Sequence, residues 1–269
     1  SQKTNTGGPQ SKHGIWHEQL GDCLQRADRH GISITGLHMH IGSGTDLEHL
    51  AQVCGAMENA CETVGRTIKT ISAGGGLPTP YKPDQSYVDL DAYFELWDAA
   101  RNRLAEKFGH AISLEIEPGR YLSAEAGYLV TEIRTIKEMG ENRFYLVDAG
   151  FNTLARPILY GSYHPMSIAP HDGSDAPRNK QNVVVGGPLC ESGDIFTQEE
   201  GGFVSHRQLP TAAVGDYLVI EVAGAYGVVM ASNYNSKPLP AEVLITDGTP
   251  HEIRARQTLD DLIRGEKIP

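Results

Sequence analysis

The sequence predicts two folds in one chain, a parallel α/β part followed by an all-β part. In the first 121 residues, helical and strand-like patterns alternate, and the strand-like segments run into glycine-rich or proline-containing turns. After that point, short strand-like segments follow one another without a long helix between them. The dipeptide Asp247-Gly248 is a hairpin signal, which is typical of antiparallel strands. We therefore expect two domains, residues 1–121 and 122–269.

The first part is predicted from apolar residues at helical or alternating spacing. Helices are expected over residues 16–30, 47–64 and 90–108, and strands over residues 32–40, 67–72 and 112–116. Thr45 and Glu48 predict a capping box at the start of the second helix. The faces expected to be buried are Leu20, Cys23, Leu24, Ala27; Leu47, Leu50, Val53, Cys54, Met57, Cys61, Val64; and Tyr93, Phe94, Trp97, Leu104, Phe108.

The second part is predicted to be mostly antiparallel. Strands are expected over residues 128–137, 143–147, 182–185, 217–222 and 243–253, with a polar surface loop at 171–177 and a short helix at 259–264. In this part, side chains suited to chemistry or hydrogen bonding lie near predicted strand ends, in four clusters at residues 148–152, 156–160, 187–194 and 223–227.

Composition excludes several functional classes. The formal net charge is −11 with a pI of about 5.4, the wrong sign for a protein that binds a nucleic-acid backbone. No run approaches the roughly 18 apolar residues of a membrane span, so neither a membrane nor a nucleic acid is expected as a partner. Four cysteines without CxxC spacing favour a reducing cytoplasm. The first residue is Ser1, and we expect the chain to be part of something longer.

The predicted strand ends of the first part carry the chemistry. They read 40–44 (HIGSG), 74–76 (GGG) and 117–120 (EPGR), and the carboxyl ends of parallel strands meet at one edge of a sheet. Adjacent glycines expose backbone N–H groups, while Ser43 and Arg120 add a hydroxyl and a positive charge. These residues favour a phosphorylated ligand over the alternative that the glycines merely end strands.

Two histidines and a glutamate narrow the type of ligand. His38 and His40 share one strand face, but a metal site is disfavoured because no carboxylate or further histidine follows at ligand spacing. We interpret His38 as a buried, hydrogen-bonded histidine and His40 as able to lie flat on an aromatic ligand. Glu117, beside Gly119 and Arg120, is suited to keep a ring nitrogen protonated, although an ion pair is the alternative.

Among the cysteines, Cys190 stands apart. It lies between proline, glycine and carboxylate residues, which favours an exposed proton carrier. Cys23, Cys54 and Cys61 lie on apolar helix faces and are interpreted as core.

Together these motifs resemble the diaminopimelate decarboxylases, pyridoxal-phosphate (PLP) enzymes of the alanine-racemase-like fold type (fold type III). The resemblance extends from Lys3-Thr4 to the end and is carried by the strand-end motifs, Arg-Pro-x-x-Tyr at 156–160, Cys-Glu-Ser at 190–192 and Gly-Ala-Tyr-Gly at 224–227. It implies the C-terminal part of a PLP-binding (β/α)8 barrel, followed by a β-sandwich or barrel-like domain that covers the active site.

The resemblance also implies roles for the cofactor site. His40 would stack on the pyridine ring, and Glu117 would face the pyridine nitrogen and keep it protonated. The phosphate would be held by residues on several loops: Ser43, Gly75, Gly76, the turn Pro118-Gly119-Arg120, and Tyr226.

On the substrate side, the resemblance implies that Arg120 and Arg156 bind a distal carboxylate, with Tyr160 and Tyr226 alongside. Glu191 would bind the ammonium group, and Cys190 would return a proton to the α-carbon. In the family these last two residues come from a second subunit, so a homodimer with shared active sites is expected. The implied reaction is the decarboxylation of meso-2,6-diaminopimelate to L-lysine and CO2, the last step of lysine biosynthesis.

One departure from the family pattern leaves alternatives open. The chain has no counterpart of the early lysine that binds the cofactor in this family, and only three of eight βα units are expected. We therefore expect the C-terminal portion of such an enzyme, inactive as an isolated chain. A related decarboxylase of another basic amino acid or polyamine precursor, and a non-catalytic cofactor-binding module, remain as alternatives.

Overall fold

A computed structural model describes residue 8 and residues 11–40 and 46–267. The chain divides into two compact units, Ser1–Ser123 and Ala124–Pro269. The boundary expected from the sequence, between residues 121 and 122, lies two residues before this division. Each unit has its own hydrophobic core.

The first unit is a parallel α/β structure. Its elements are α1 (Leu20–Arg29), β1 (Gly36–His38), α2 (Leu47–Val64), β2 (Thr70–Ser72), α3 (Leu90–Phe108), β3 (Ser113–Glu115) and α4 (Gly119–Ser123). The three strands pair in parallel in the order β1-β2-β3, and Leu37, Ile71 and Leu114 lie side by side across the sheet. The predicted βαβ pattern is confirmed.

Side-chain caps fix where the two long helices begin. The Asp46 carboxylate accepts a hydrogen bond of 2.6 Å from the His49 N–H at the start of α2. The predicted capping box involves Thr45, which lies outside the described residues, and the cap of α2 is Asp46. Asp89 caps α3 in the same way, accepting from the Ala92 N–H at 3.0 Å.

The core of the first unit lies between α2, α3 and the sheet. Its fully buried side chains include Leu50, Met57, Ile68, Ile71, Trp97 and Leu104. Three predictions of burial are wrong. Phe94 is 56% exposed and Leu47 is 40% exposed. Helix α1 has no buried residue, although Leu20, Cys23, Leu24 and Ala27 are half-buried. Cys54 and Cys61 are core as predicted, and burial raises the pKa of each thiol to about 11.

The second unit is built on a six-stranded sheet. Its elements are β4 (Leu129–Met139), β5 (Asn142–Val147), α5 (Arg156–Tyr160), β6 (Met166–Ala169), β7 (Lys180–Gly186), β8 (Arg207–Pro210) and β9 (Tyr217–Ile220). The strand order is β6-β9-β4-β5-β7-β8, and all neighbours are antiparallel except β5 and β7. The edge strands β6 and β8 contact each other, so the sheet curves toward a barrel. The mostly antiparallel prediction is confirmed, but β6 and β8 were not predicted.

A separate ribbon follows the sheet. Strands β10 (Glu242–Thr246) and β11 (Thr249–Arg254) pair antiparallel, and the chain ends with helix α6 (Leu259–Ile263). Asp247 and Gly248 form the turn with φ of 49° and 75°. Positive φ at both central residues defines a type I′ hairpin, which confirms the predicted turn. Within residues 8, 11–40 and 46–267, none of the helices is both long enough and apolar enough to cross a bilayer.

Candidate active site

The three parallel strands of the first unit end in one hydrogen-bonded group. We call His38, His40, Gly74, Gly75 and Glu117 the strand-tip cluster. The Gly75 N–H donates to His40 Nδ1 at 3.2 Å, and the Glu117 N–H donates to the Gly74 carbonyl at 2.9 Å. The ends of β1, β2 and β3, which the sequence analysis singled out separately, therefore meet.

The absence of side chains at Gly74 and Gly75 allows the three strand ends to come this close together. Gly74 has φ of +65°, and a Cβ there would lie 2.4 Å from the Met39 carbonyl oxygen. A Cβ on Gly75 would lie 2.9 Å from His40 Cε1 and 3.0 Å from the Glu117 carbonyl oxygen. The His40 ring thus lies directly against the backbone of Gly75, in the space that a side chain at position 75 would need.

The two histidines of the cluster have different hydrogen-bond partners. His40 is exposed overall, but partial burial of its ring, with a smaller effect from neighbouring His38, lowers the pKa of His40, which favours the neutral ring at pH 7. Because His40 Nδ1 accepts from a backbone N–H, the ring proton of that neutral form lies on Nε2. His38 Nε2 lies 3.3 Å from Glu117 Oε2, and the His38 side chain is 47% exposed. The interpretation of His38 as a buried histidine is therefore wrong.

The donor set fits a flat, phosphorylated pyridine. A neutral imidazole, an exposed carboxylate and bare glycine backbone lie together, and the Arg120 charge is close enough to help lower the pKa of His40. Gly76 has φ of +95° directly after the cluster, Pro118 precedes α4, and Gly119 and Arg120 begin it. Ser43 lies outside the described residues. No group of three or more potential metal-ligating side chains is found in the described part of the chain.

In the second unit, two predicted substrate-binding residues lie together. We call Arg156, His164 and Tyr226 the arginine cluster. The guanidinium carbon of Arg156 lies 5.7 Å from the centre of the Tyr226 ring, and Arg156 is only 7% exposed. Arg156 Nη1 also lies 3.1 Å from His164 Nε2. Tyr160 closes the same short helix, α5, and is half-buried.

Tyr226 is held in an uncommon conformation. Its φ is +60°, a left-handed value that costs a residue with a Cβ free energy. The loop that presents it is held at its base, where the Ala223 N–H donates to the Gly127 carbonyl at 2.7 Å and the Gly224 N–H donates to the Ala124 carbonyl at 2.9 Å. These backbone bonds allow the strained conformation to persist.

The loop with Cys190 and Glu191 is organised by a buried carboxylate. Asp194 is 3% exposed and accepts hydrogen bonds from the N–H groups of Phe151, at 2.7 Å, and Leu189, at 2.9 Å. A Cβ on Gly187 would lie 2.2 Å from an Asp194 carboxylate oxygen, so this carboxylate fits only against glycine. Burial raises the pKa of Asp194, and the two N–H bonds oppose that shift.

Both predicted reactive groups of this loop are accessible. Cys190 is an exposed free thiol, as the sequence predicted, and Glu191 is also exposed. The Tyr234 hydroxyl lies 3.3 Å from Glu191 Oε2, and its ring packs on Phe151 with ring centres 4.9 Å apart. Tyr234 therefore connects the carboxylate of Glu191 to the turn that also binds Asp194.

Sequence reasoning assigned no role to His164, Asp194 or Tyr234. Asp194 was noticed only as a member of its glycine-rich cluster. The adjacent pair Gly186-Gly187 was an available signal, because close approach of a side chain is one reason for glycine beside a strand end. For His164 and Tyr234 the sequence carries no comparable signal.

Comparison with known proteins places these clusters in a family. The family model described as "Pyridoxal-dependent decarboxylase, C-terminal sheet domain" matches residues 27–224. The chain belongs to this family. The predicted resemblance is confirmed, and so is the expected cofactor class, since the family is a pyridoxal-dependent one.

Relatives similar to this chain include diaminopimelate decarboxylases. The diaminopimelate decarboxylase of Escherichia coli K12 is 52% identical over 269 residues, covering 100% of this chain and 64% of its own length. A crystal structure of diaminopimelate decarboxylase matches with a TM-score of 0.94 and 52% identity, over 98% of this chain and 63% of that one. The Helicobacter pylori enzyme, crystallised with L-lysine, matches with a TM-score of 0.80 and 30% identity, over 97% and 62%.

The chain therefore spans less than two thirds of these relatives' length. The structural matches confirm the predicted fold class, the C-terminal part of a fold type III PLP barrel followed by an antiparallel β-domain.

Proposed function

We propose that these residues belong to a PLP-dependent decarboxylase that converts meso-2,6-diaminopimelate to L-lysine and CO2. The observation that carries the proposal is the strand-tip cluster, in which a neutral imidazole, a carboxylate and bare glycine backbone meet at the ends of three parallel strands. The 52% identity to diaminopimelate decarboxylases supports the choice of substrate. So does the relative crystallised with L-lysine, which is the product of this reaction.

In this proposal the cofactor-facing residues act by position and charge. PLP, when bound, supplies a protonated pyridine ring that accepts the electron pair left by loss of CO2. Glu117 holds the proton on the pyridine nitrogen, and the neutral His40 ring covers one face of the cofactor. The glycine backbone at Gly75 and Gly76, the turn Pro118-Gly119-Arg120, Ser43 and Tyr226 bind the phosphate.

The substrate residues set specificity and finish the reaction. Arg156 and Arg120 bind the distal carboxylate, with Tyr160 and Tyr226 beside it. The L-lysine formed keeps that distal carboxylate, because CO2 leaves from the other end of the molecule. Lysine offered as a substrate would react at its own α-carbon and bring no carboxylate to the buried guanidinium, which disfavours it. Glu191 binds the ammonium group. The Cys190 thiol donates its proton to the α-carbon in place of the lost CO2, and the resulting thiolate is reprotonated from solvent.

We also infer a homodimer, in which Cys190 and Glu191 serve the site of the neighbouring subunit. Their exposure supports this, because a group that reaches into another subunit must lie at the surface of its own. A cytoplasmic location is supported by the four free thiols, since reducing conditions keep cysteines unpaired.

The test is a substrate comparison on the complete gene product with added PLP. We expect CO2 and L-lysine from meso-diaminopimelate, with kcat/KM higher than for arginine, ornithine or lysine by roughly 10,000-fold, because these three bring no distal carboxylate to the buried guanidinium. Release of CO2 from ornithine or arginine instead would identify a related decarboxylase. PLP binding without release of CO2 from any of the four would identify a non-catalytic cofactor-binding protein.

A further inference from the structure

We propose that His164 is a positioning residue for substrate selection. As a neutral imidazole with its proton on Nδ1, it accepts a hydrogen bond from Arg156 and thereby aims that guanidinium at the distal carboxylate of the substrate. The inference rests on the proposed function, because it assigns the substrate carboxylate to Arg156.

Two hydrogen-bond partners determine the tautomer of His164. Its Nδ1 lies 3.0 Å from the Glu221 backbone carbonyl oxygen, which can only accept, so Nδ1 carries the proton. Its Nε2 lies 3.1 Å from Arg156 Nη1, which can only donate, so Nε2 is bare. Both contacts require this tautomer. The tautomer with its proton on Nε2 would be incompatible with either contact.

The surroundings keep this ring uncharged. His164 is 1% exposed, and burial lowers its pKa to about 4. The positive charges of Arg156 and Arg207 lower the pKa further, whereas the backbone contacts at Glu221 and Val222 oppose the shift. A protonated ring would place a donor against the Arg156 guanidinium, so neutrality is what allows the contact.

The backbone frame around His164 is itself fixed. The Glu221 N–H donates to the Pro165 carbonyl at 2.9 Å, and the Glu221 side chain accepts from the Ser167 hydroxyl at 2.8 Å. The carbonyl that holds His164 Nδ1 is therefore tied to the strand that follows the histidine. The ring has little freedom to turn.

This rigidity acts on Arg156. One guanidinium nitrogen is engaged by His164 Nε2, while the Tyr226 ring lies near the guanidinium at 5.7 Å. A planar fork restrained in this way is held in one orientation, and carboxylate recognition by arginine depends on that orientation. We expect His164 to act on substrate binding through Arg156 without touching the substrate.

Three variants separate this role from a purely structural one. His164→Phe keeps a ring but removes both hydrogen bonds, and His164→Gln keeps an amide oxygen that can accept from Arg156. His206→Gln is the matched control, since His206 is exposed and its Nε2 lies 2.7 Å from the Asn142 side-chain oxygen, far from Arg156 in the sequence.

In the complete gene product, we expect His164→Phe to raise KM for meso-diaminopimelate about 10- to 100-fold, with a much smaller change in kcat. His164→Gln should recover most of that loss, and His206→Gln should match the wild type. A folded His164→Phe protein with unchanged KM would overturn the proposal. So would a fall in kcat as large as the rise in KM in both His164 variants.

Nitrogen-15 NMR of the histidine side chains in the complete gene product gives a readout that needs no turnover. At pH 7 the His164 signals, identified by their loss in His164→Gln, should show a protonated Nδ1 and a bare Nε2. The opposite tautomer or a doubly protonated ring would overturn the proposal. If the wild-type gene product does not release CO2 from meso-diaminopimelate, the proposed function fails and substrate selection with it, whereas the NMR result still decides whether His164 holds Arg156.

Discussion

The strand-tip cluster and the arginine cluster each contain a histidine with a lowered pKa, but they are built differently. His40 is an exposed residue held by a backbone N–H of Gly75, and its place depends on glycine at two positions of the facing strand end. His164 is buried and lies between a side chain and a carbonyl from two other segments. The strand-tip cluster depends on glycine backbone without side chains, whereas the arginine cluster depends on hydrogen bonds between buried polar groups.

The two clusters should therefore be disrupted by different kinds of change. In the strand-tip cluster, any added atom at the glycines must displace a strand end. In the arginine cluster, protonation of His164 is the change expected to disrupt the site, because a positive charge on its ring repels the neighbouring Arg156 guanidinium.

The largest effect is expected from adding one methyl group to the strand-tip cluster. Gly74→Ala places a Cβ 2.4 Å from the Met39 carbonyl at φ of +65°, and should lower the free energy of unfolding of the first unit by roughly 3–5 kcal/mol. Both tryptophans, Trp16 and Trp97, lie in that unit, so urea unfolding followed by tryptophan fluorescence measures it.

Gly109→Ala is the control for this experiment. Gly109 has φ of +76° but nothing within 4 Å of an added Cβ, so only the backbone cost of roughly 1 kcal/mol applies. Equal losses in the two variants would show that the contact with Met39 contributes nothing.

The arginine cluster should respond to pH instead. The pKa of His164 is about 4 in the folded chain, against 6.5 for an ordinary histidine. Between these values the unfolded chain binds the proton and the folded chain does not, so the free energy of unfolding falls as pH falls from 6.5 to 4. At about 1.36 kcal/mol per pH unit, the loss is roughly 3 kcal/mol.

Urea unfolding followed by circular dichroism at pH 7 and pH 4 measures this loss. Carboxylates also titrate in that range, so the informative quantity is the difference between wild type and His164→Gln. That difference should shift by roughly 3 kcal/mol between the two pH values. A pH-independent difference for His164→Gln would show that the histidine charges as easily as in water.

The carboxylate of the strand-tip cluster can be tested by catalytic activity. Glu117→Gln keeps the shape of the strand-tip cluster but removes the charge that holds the ring nitrogen protonated in the proposed mechanism. We expect kcat/KM for meso-diaminopimelate in the complete gene product to fall by about 100-fold, which is about 2.7 kcal/mol. Glu115→Gln, an exposed position at the end of β3, should leave it unchanged. Similar losses in both variants would remove the special role of Glu117.

How far the sequence could lead differs between the elements. The bounds of α3 were predicted to the residue, because Asp89 caps it and Gly109 ends it. The strand predicted over residues 32–40 shortens to Gly36–His38, because alternation alone does not show where pairing with a neighbour ends. The four-residue strands β6 and β8 were missed, since only pairing with distant strands defines them.

The same distinction applies to the two sites. The strand-tip cluster was predictable as a meeting point because glycine runs and charged residues adjoin three strand ends in order along the chain. The part played by His164 was not, because its carbonyl partner lies 57 residues away. A single histidine followed by proline gives no sign of such a partner.

The one parallel pair in the second sheet has a consequence for how the protein folds. Because β5 and β7 run in the same direction, the chain between them, residues 148–179, must cross over instead of turning back. That crossover carries Arg156 and His164, and the carbonyl that fixes His164 follows β9. Closing so long a loop costs chain entropy before its contacts form. We therefore expect the arginine cluster to assemble among the last events of folding, after the local hairpins.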